Sequence, residues 1–269
     1  MKTAIESGEY KYIKQQIRRL TQVDLDCYKV EQVQRRLKTY LVRSGHESWV
    51  TFFREMRGDP EGLKKLRDYL TINVSSFFRD PDKYKYLGRK ILPELVSRWG
   101  RLRVWSAGCS RGQEAYTLAM MLEDQALGLS GYEVLGTDLD RSALAAARSG
   151  GPYNEDDVAN VRYGYLRRFF DRNEEGYWAN EDLRRKVTFR EGNLLSSSFG
   201  QGYDLIVCRN VVIYFTAEVK ARLYGRFYNA LRPGGVLFVG GTETIPHWRA
   251  LGYESAGVSF YRRSPNGAH

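Results

Sequence analysis

The sequence predicts an α/β fold in which a largely parallel sheet with crossover helices follows a small all-α region. Three observations carry this. Beyond about residue 101, short apolar stretches of strand character recur, and the intervals after the first, second and fourth hold good helix formers. The first stretch breaks into a turn of small residues and resumes as a helical pattern, in RLRVWSAGCSRGQEAYTLAM. Before about residue 95 the chain has helical periodicity, few glycines and few β-branched runs.

In the helical region, Val30, Val33, Leu37, Tyr40 and Leu41 fall on one face of a helix, with Arg35, Lys38 and Arg43 on or near the other. This predicts a basic amphipathic helix. Residues 1–95 carry 20 Lys and Arg against 13 Asp and Glu, a net +7, while the remaining residues account for +3 of the formal +10. A field of that sign favours an acidic partner.

The expected strands are LRVWSA, YEVLGTD, KVTFREG, YDLIVCRN and GGVLFVGG. The interval from Gly150 to Arg185, rich in Tyr, Asn, Arg and Glu, is too irregular for a simple crossover and reads as an insertion. No apolar run approaches the roughly 18 to 20 residues of a membrane span. The first twenty residues lack the apolar core and cleavage site of a secretory signal, so a cytoplasmic protein is expected. Three widely spaced cysteines, Cys27, Cys109 and Cys208, fit neither a disulfide framework nor a metal cluster.

Ligands of an open parallel sheet bind beyond the carboxyl ends of its strands. The turn after the first strand contains Gly108 and Gly112 but not the GxGxxG spacing, which weakens a pyrophosphate-binding reading. The next strand ends in GTDLD, and Asp138 there can accept hydrogen bonds from both hydroxyls of a ribose. A loop with an acid in this relation is shared by dinucleotide enzymes and S-adenosylmethionine-dependent methyltransferases. Two further segments narrow the choice. GNLL sets Asn193 and Leu194 where an adenine edge and face would lie, and CRNVVIYF sets Arg209 and Asn210 where a fourth strand meets substrate.

The chain resembles the chemotaxis receptor glutamate O-methyltransferases of the CheR type, which methylate glutamates of methyl-accepting chemotaxis proteins. The resemblance runs from about Leu20 to Arg262 and rests on YKVEQVQRRL, TINVSSFFRD, VWSAGCSRGQEAYTLAM, GTDLD, NLL, DLIVCRNVVIYF and GGVLFVGGTETI. It implies a Rossmann-like methyltransferase domain over residues 81–269, a helical, basic receptor-docking domain over residues 1–80, and a small β-subdomain inserted at about 150–186. Carried across, Asn73, Ser75 and Arg79 reach the cofactor or reaction centre. Gly108 and Glu114 meet the methionine end, Asp138 the ribose, Asn193 and Leu194 the adenine, and Asn210 and Val211 the far wall. Arg79 and Tyr214 match the positions near the methyl-accepting carboxylate. Lys29, Arg35, Arg36 and Lys38 match the receptor-facing helix. Where the family commonly reads CSTGEEPYT this chain has CSRGQEAYT, so Arg111, Gln113 and Ala115 stand where Thr, Glu and Pro are usual.

The chemistry agrees with the residues. A glutamate with an ordinary pKa of about 4.3 is ionised at neutral pH, so attack on an activated methyl needs no general base. His46, His247 and His269 lie outside the motifs, and no metal-ligand spacing occurs. The resemblance implies a monomer that takes S-adenosylmethionine, releases S-adenosylhomocysteine and acts on acidic receptor helices without inserting into the membrane. The competing readings are a nucleic-acid methyltransferase, which would use the basic first third but for which the amino-methylating and Pro-Cys motifs are missing, and a cofactor-binding regulator without turnover.

Overall fold

A computed structural model describes residues 5–21, 23–70, 75–124 and 128–265. Asn73 lies outside the described residues. The chain divides into two compact units, residues 1–72 with 214–220, and residues 73–213 with 221–269.

The first unit is built of helices α1 (Ser7–Thr21), α2 (Val30–Arg43), α3 (Trp49–Met56) and α4 (Pro60–Leu70). Helical spacing decides what each buries. In α1 it is Tyr10, Ile13 and Ile17, in α2 Val33 and Leu37, and in α3 Trp49, Phe52 and Phe53. Ser48 caps α3 by accepting from the Thr51 N–H at 3.2 Å. The apolar face expected on α2 is narrower than its sequence: Val30 is 52% exposed, because the inward stripe begins one turn later at Val33. Residues 214–220 join this unit through a bridge between Tyr28 and Phe215 and the Lys29 N–H donating to the Tyr214 carbonyl at 2.9 Å.

The second unit opens with α5 (Pro81–Tyr86), a π turn (Leu87–Ile91) and α6 (Leu92–Trp99). Strand and helix then alternate through β1 (Arg101–Ala107), α7 (Gln113–Asp124), β2 (Gly131–Asp138) and α8 (Arg141–Ser149). The insertion follows, with α9 (Glu155–Val158), α10 (Tyr163–Phe169), an antiparallel hairpin of β3 (Phe170–Asn173) and β4 (Gly176–Ala179), and α11 (Glu181–Arg184). An isolated bridge from Tyr153 to Tyr177 extends that hairpin. The chain closes with β5 (Val187–Glu191), β6 (Tyr203–Cys208), α12 (Ala217–Ala230), β7 (Leu231–Val239), β8 (Tyr253–Gly257) and β9 (Phe260–Arg263).

The sheet order is β5-β2-β1-β6-β7-β9-β8. Its first five strands run parallel and are the five the sequence predicts. β9 pairs antiparallel with β7, and β8 with β9, which the sequence reading did not foresee. Strand order reverses between β1 and β6, so their carboxyl ends flank a switch-point crevice. Leu102, Val104, Leu205, Val207, Val236 and Phe238 are buried in the central strands, each contributing about 1.5–3 kcal/mol on leaving water. This is a Rossmann-like α/β fold.

Candidate active site

The crevice is shaped first by backbone. After β1 the chain turns through Gly108 at φ +87° and Gly112 at φ +90°, conformations that a side chain would strain. A Cβ on Gly108 would lie 2.5 Å from Val211 Cγ2, so glycine is needed for β1 and β6 to approach here. The Gly108 and Cys109 N–H groups donate to the Thr137 carbonyl at 2.8 and 2.9 Å, which locks the turn onto the end of β2.

Asp138 ends β2. Its Oδ2 accepts from the Ser110 N–H at 2.7 Å and its Oδ1 from the Asp140 N–H at 2.9 Å. Each oxygen keeps a further lone-pair direction, so the carboxylate can still receive two hydroxyls. Burial raises its pKa above the ordinary value, against the lowering effect of those backbone donors and with nearby Asp140 adding to the rise. Asp140 itself caps α8, accepting from the Ser142 and Ala143 N–H groups.

Glu114, at the start of α7, is 9% exposed. It accepts from Ser106 Oγ at 2.8 Å, and its other oxygen lies 3.8 Å from Arg209 Nη1. Burial raises its pKa, with Glu243 adding to the rise, while Arg209, Ser106 and Arg79 pull it down. The sequence reading placed Arg209 toward substrate. Instead the residue is 7% exposed, its guanidinium lying over the Tyr84 and Phe238 rings and bonded to Asp80 and the Tyr84 hydroxyl. Burial lowers its pKa, and the fields of Tyr84, Glu114 and Asp80 outweigh that and raise it. Arg209 is thus the counter-charge of a buried acid, and Asp80 and Tyr84 are members of the site that sequence reasoning missed. Asp80 stands next to Arg79 in TINVSSFFRD, but nothing in its spacing from Arg209 signals their pairing.

At the far wall Asn210 adopts φ +58°, and its N–H donates to Glu243 Oε2 at 3.0 Å. The Gly240 N–H donates to the same oxygen at 2.6 Å, so Glu243, also missed, ties the ends of β6 and β7. Asn193 uses its amide oxygen within its own turn, accepting from the Leu195 N–H at 2.9 Å, which leaves the amide nitrogen for a ligand. Leu194 is buried, and Arg226 donates to its carbonyl.

The three departures in the turn resolve locally. Arg111 faces the insertion: it lies over the Tyr153 ring, 3.5 Å from Asp157, and donates to the Pro152 carbonyl. Gln113 donates to Asp157 at 3.1 Å and to the Ser75 carbonyl at 3.4 Å. Ala115 is fully buried. The charge added by Arg111 is therefore matched by an acid of the insertion.

Residues 73–256 match the family model described as CheR methyltransferase, SAM binding domain, and residues 8–71 match CheR methyltransferase, all-alpha domain. The chain belongs to the CheR methyltransferase family. It is 37% identical over 255 residues to the chemotaxis protein methyltransferase of Listeria innocua, covering 94% of this chain and 96% of that protein. The Listeria monocytogenes protein of the same name is 38% identical over 255 residues, with the same coverage. Chemotaxis protein methyltransferase 1 of Pseudomonas aeruginosa is 37% identical over 227 residues, covering 79% of this chain and 81% of that one. The chain is a methyltransferase with S-adenosylmethionine as its cofactor, and no described helix is long and apolar enough to cross a membrane.

The other sequence-selected residues of this CheR-family chain fall as follows. Ser75 and Arg79 lie in the second unit with Glu114 and Asp138, and Arg79 is close enough to act on Glu114. Tyr214 belongs to the first unit, where it lines a small cavity with Leu25, Tyr28 and Arg36. Lys29 and Arg35 are exposed on the same unit, and Lys38 is half-buried. Arg36 turns inward: it donates to the Tyr69 carbonyl and lies over that ring at 4.9 Å.

Proposed function

We propose that this enzyme transfers the methyl group of S-adenosylmethionine to glutamate side chains of chemoreceptors, giving glutamyl methyl esters and S-adenosylhomocysteine, and that it does so in the cytoplasm as a monomer. The observation that supports this most directly is the pair of acids beside the turn after β1, buried Glu114 at the start of α7 and half-buried Asp138 at the end of β2. Glu114 is suited to the ammonium of the cofactor's methionine end, and Asp138 to its ribose. The Gly108 cradle allows close backbone approach. Asn193 offers its amide nitrogen to the adenine, Leu194 a packing surface, and Asn210 and Val211 the opposite wall. Asn73 and Ser75 complete the set in this reading.

The bound cofactor supplies a methyl group activated by a sulfonium. The chain's residues then align and partly desolvate the attacking carboxylate. In this proposal Arg79 holds one oxygen of the substrate glutamate by a charge-assisted hydrogen bond, and the Tyr214 hydroxyl positions the other. No general base is needed, since the nucleophile arrives ionised. Acidic receptor helices dock on α2 through Lys29, Arg35 and Lys38. Arg36, as part of the fold, supports that face from beneath.

The test is transfer of radiolabel from methyl-labelled S-adenosylmethionine to an acidic chemoreceptor cytoplasmic fragment, read as methanol released by mild base. Base-labile label that disappears when the fragment's methylatable glutamates are changed to Ala is expected. Base-stable label, or label independent of those glutamates, would overturn the assignment.

A further inference from the structure

On the second unit, away from Asp138, lies a cavity of about 410 Å³ between α5, the π turn, α7 and α10. Phe78, Tyr84, Met121 and Tyr165, all nearly buried, form its floor. Arg89 and Arg162 stand at its rim and are exposed. Among the described residues neither has a carboxylate partner, although Arg162 lies over the Tyr165 ring at 5.1 Å. The other charged lining groups are satisfied: Lys85 pairs with Asp82 at 2.8 Å, and Asp124 takes the Tyr165 hydroxyl and faces Arg168. Asn160 adds an exposed amide.

The backbone keeps this space open. The π turn widens the helix locally, a distortion common at functional sites. Gly88 sits within it, and a Cβ there would reach 3.1 Å from Met121 Cε. The volume suits a small molecule, and an apolar aromatic floor with a few convergent polar groups is the usual make-up of a ligand site. Arg89 and Arg162, both lining the cavity and without a carboxylate partner among the described residues, favour an anionic head, and the rings below favour a flat apolar body.

We propose that this cavity is a second ligand site, for a small amphipathic anion with an aromatic body and a carboxylate, sulfonate or phosphate head, and that its occupancy adjusts cofactor affinity. The route is short. Phe78 precedes Arg79 directly and holds φ +50°. Tyr84 accepts from Arg209 at 3.3 Å, and Arg209 faces Glu114. A ligand pressing on both rings therefore acts on the two cations nearest Glu114. The binding site stands on the cavity alone, and only the coupling rests on the role proposed for Glu114.

The probe is 1-anilinonaphthalene-8-sulfonate, titrated into the full-length protein and followed by fluorescence, with S-adenosylhomocysteine affinity measured with and without it. Single-site binding is expected, weakened at least about tenfold in R89E/R162E, a surface variant whose folding is checked by its unchanged melting temperature. G88L, which fills the cavity, should weaken it likewise. Probe affinity unaffected by R89E/R162E overturns the site. Probe binding that depends on these arginines but leaves S-adenosylhomocysteine affinity unchanged overturns the coupling, because linkage must act in both directions. Failure of S-adenosylhomocysteine to bind at all, with the probe still sensitive to R89E/R162E, would fall on the Glu114 assignment instead.

Discussion

Glu114 and Asp138 are acids placed where burial opposes their charge. Both have pKa values above the ordinary values of their side chains, with burial the largest cause. An acid held above its unfolded value binds its proton more tightly in the folded state. Its contribution to stability is therefore fullest at low pH and declines as pH rises from the ordinary value through the raised one. Binding of a cationic amine to Glu114 carries the opposite sign, since it requires the ionised form. We therefore expect the melting-temperature increase produced by S-adenosylhomocysteine to grow as pH rises from the ordinary carboxylate value through the raised one, and this growth to shrink in E114Q. A ligand-induced increase with the same pH dependence in E114Q as in the unaltered protein would remove Glu114 from the proposed amine site. At this scale the sequence was legible in placement: Gly108 and Asp138 stand at the ends of β1 and β2 as expected, and Glu114 opens α7, while the ligand roles given to them remain proposals. It misled at Arg209, because whether a side chain after a strand turns outward or folds back depends on partners distant in the chain, here Tyr84 and Asp80.

The elements of the insertion are short, and α9 would not persist on its own. Its anchor is Asp157. That side chain closes a capping box with Asn154, accepts from Gln113 at 3.1 Å and faces Arg111 at 3.5 Å, while its carbonyl accepts from the Phe77 N–H at 2.9 Å. Turn, insertion and the segment leading to Arg79 thus meet on one residue. D157A is expected to cost about 2–3 kcal/mol, from a lost cap and a stranded buried amide, with faster hydrogen exchange in residues 75–80. R111A should cost about 1 kcal/mol or less, since its ion pair is partly exposed. Equal losses in thermal denaturation would contradict this ranking. The five parallel strands could be read because buried strands are continuous apolar runs. β8 and β9 escaped because YESAG and FYRR are short and not continuously apolar, with Glu254 and Ser255 of the edge strand β8 exposed and two arginines in β9. The insertion's hairpin was foreseen only through the family resemblance, since FDRN and GYWA have no strand periodicity of their own.

Across the molecule, a formal charge of +10 gives an attractive field for acidic partners at long range, while contact is decided within a Debye length of about 8–10 Å. These two contributions separate by residue. Arg35 is exposed on α2, so in the proposed docking its reversal removes a local attraction and adds a repulsion without touching the fold. R35E should raise the KM for a receptor fragment by about threefold to tenfold at low salt, with kcat and S-adenosylhomocysteine affinity nearly unchanged, and the increase should fade as ionic strength rises. Arg36 is held against Tyr69, and burial lowers its pKa against the raising influence of Tyr69 and Tyr214. R36E should accordingly lower the melting temperature, and its loss of activity should not be rescued by salt. A single-residue reversal at Arg35 with no salt-dependent change in KM would mean that the net charge of the chain steers the receptor but α2 does not receive it.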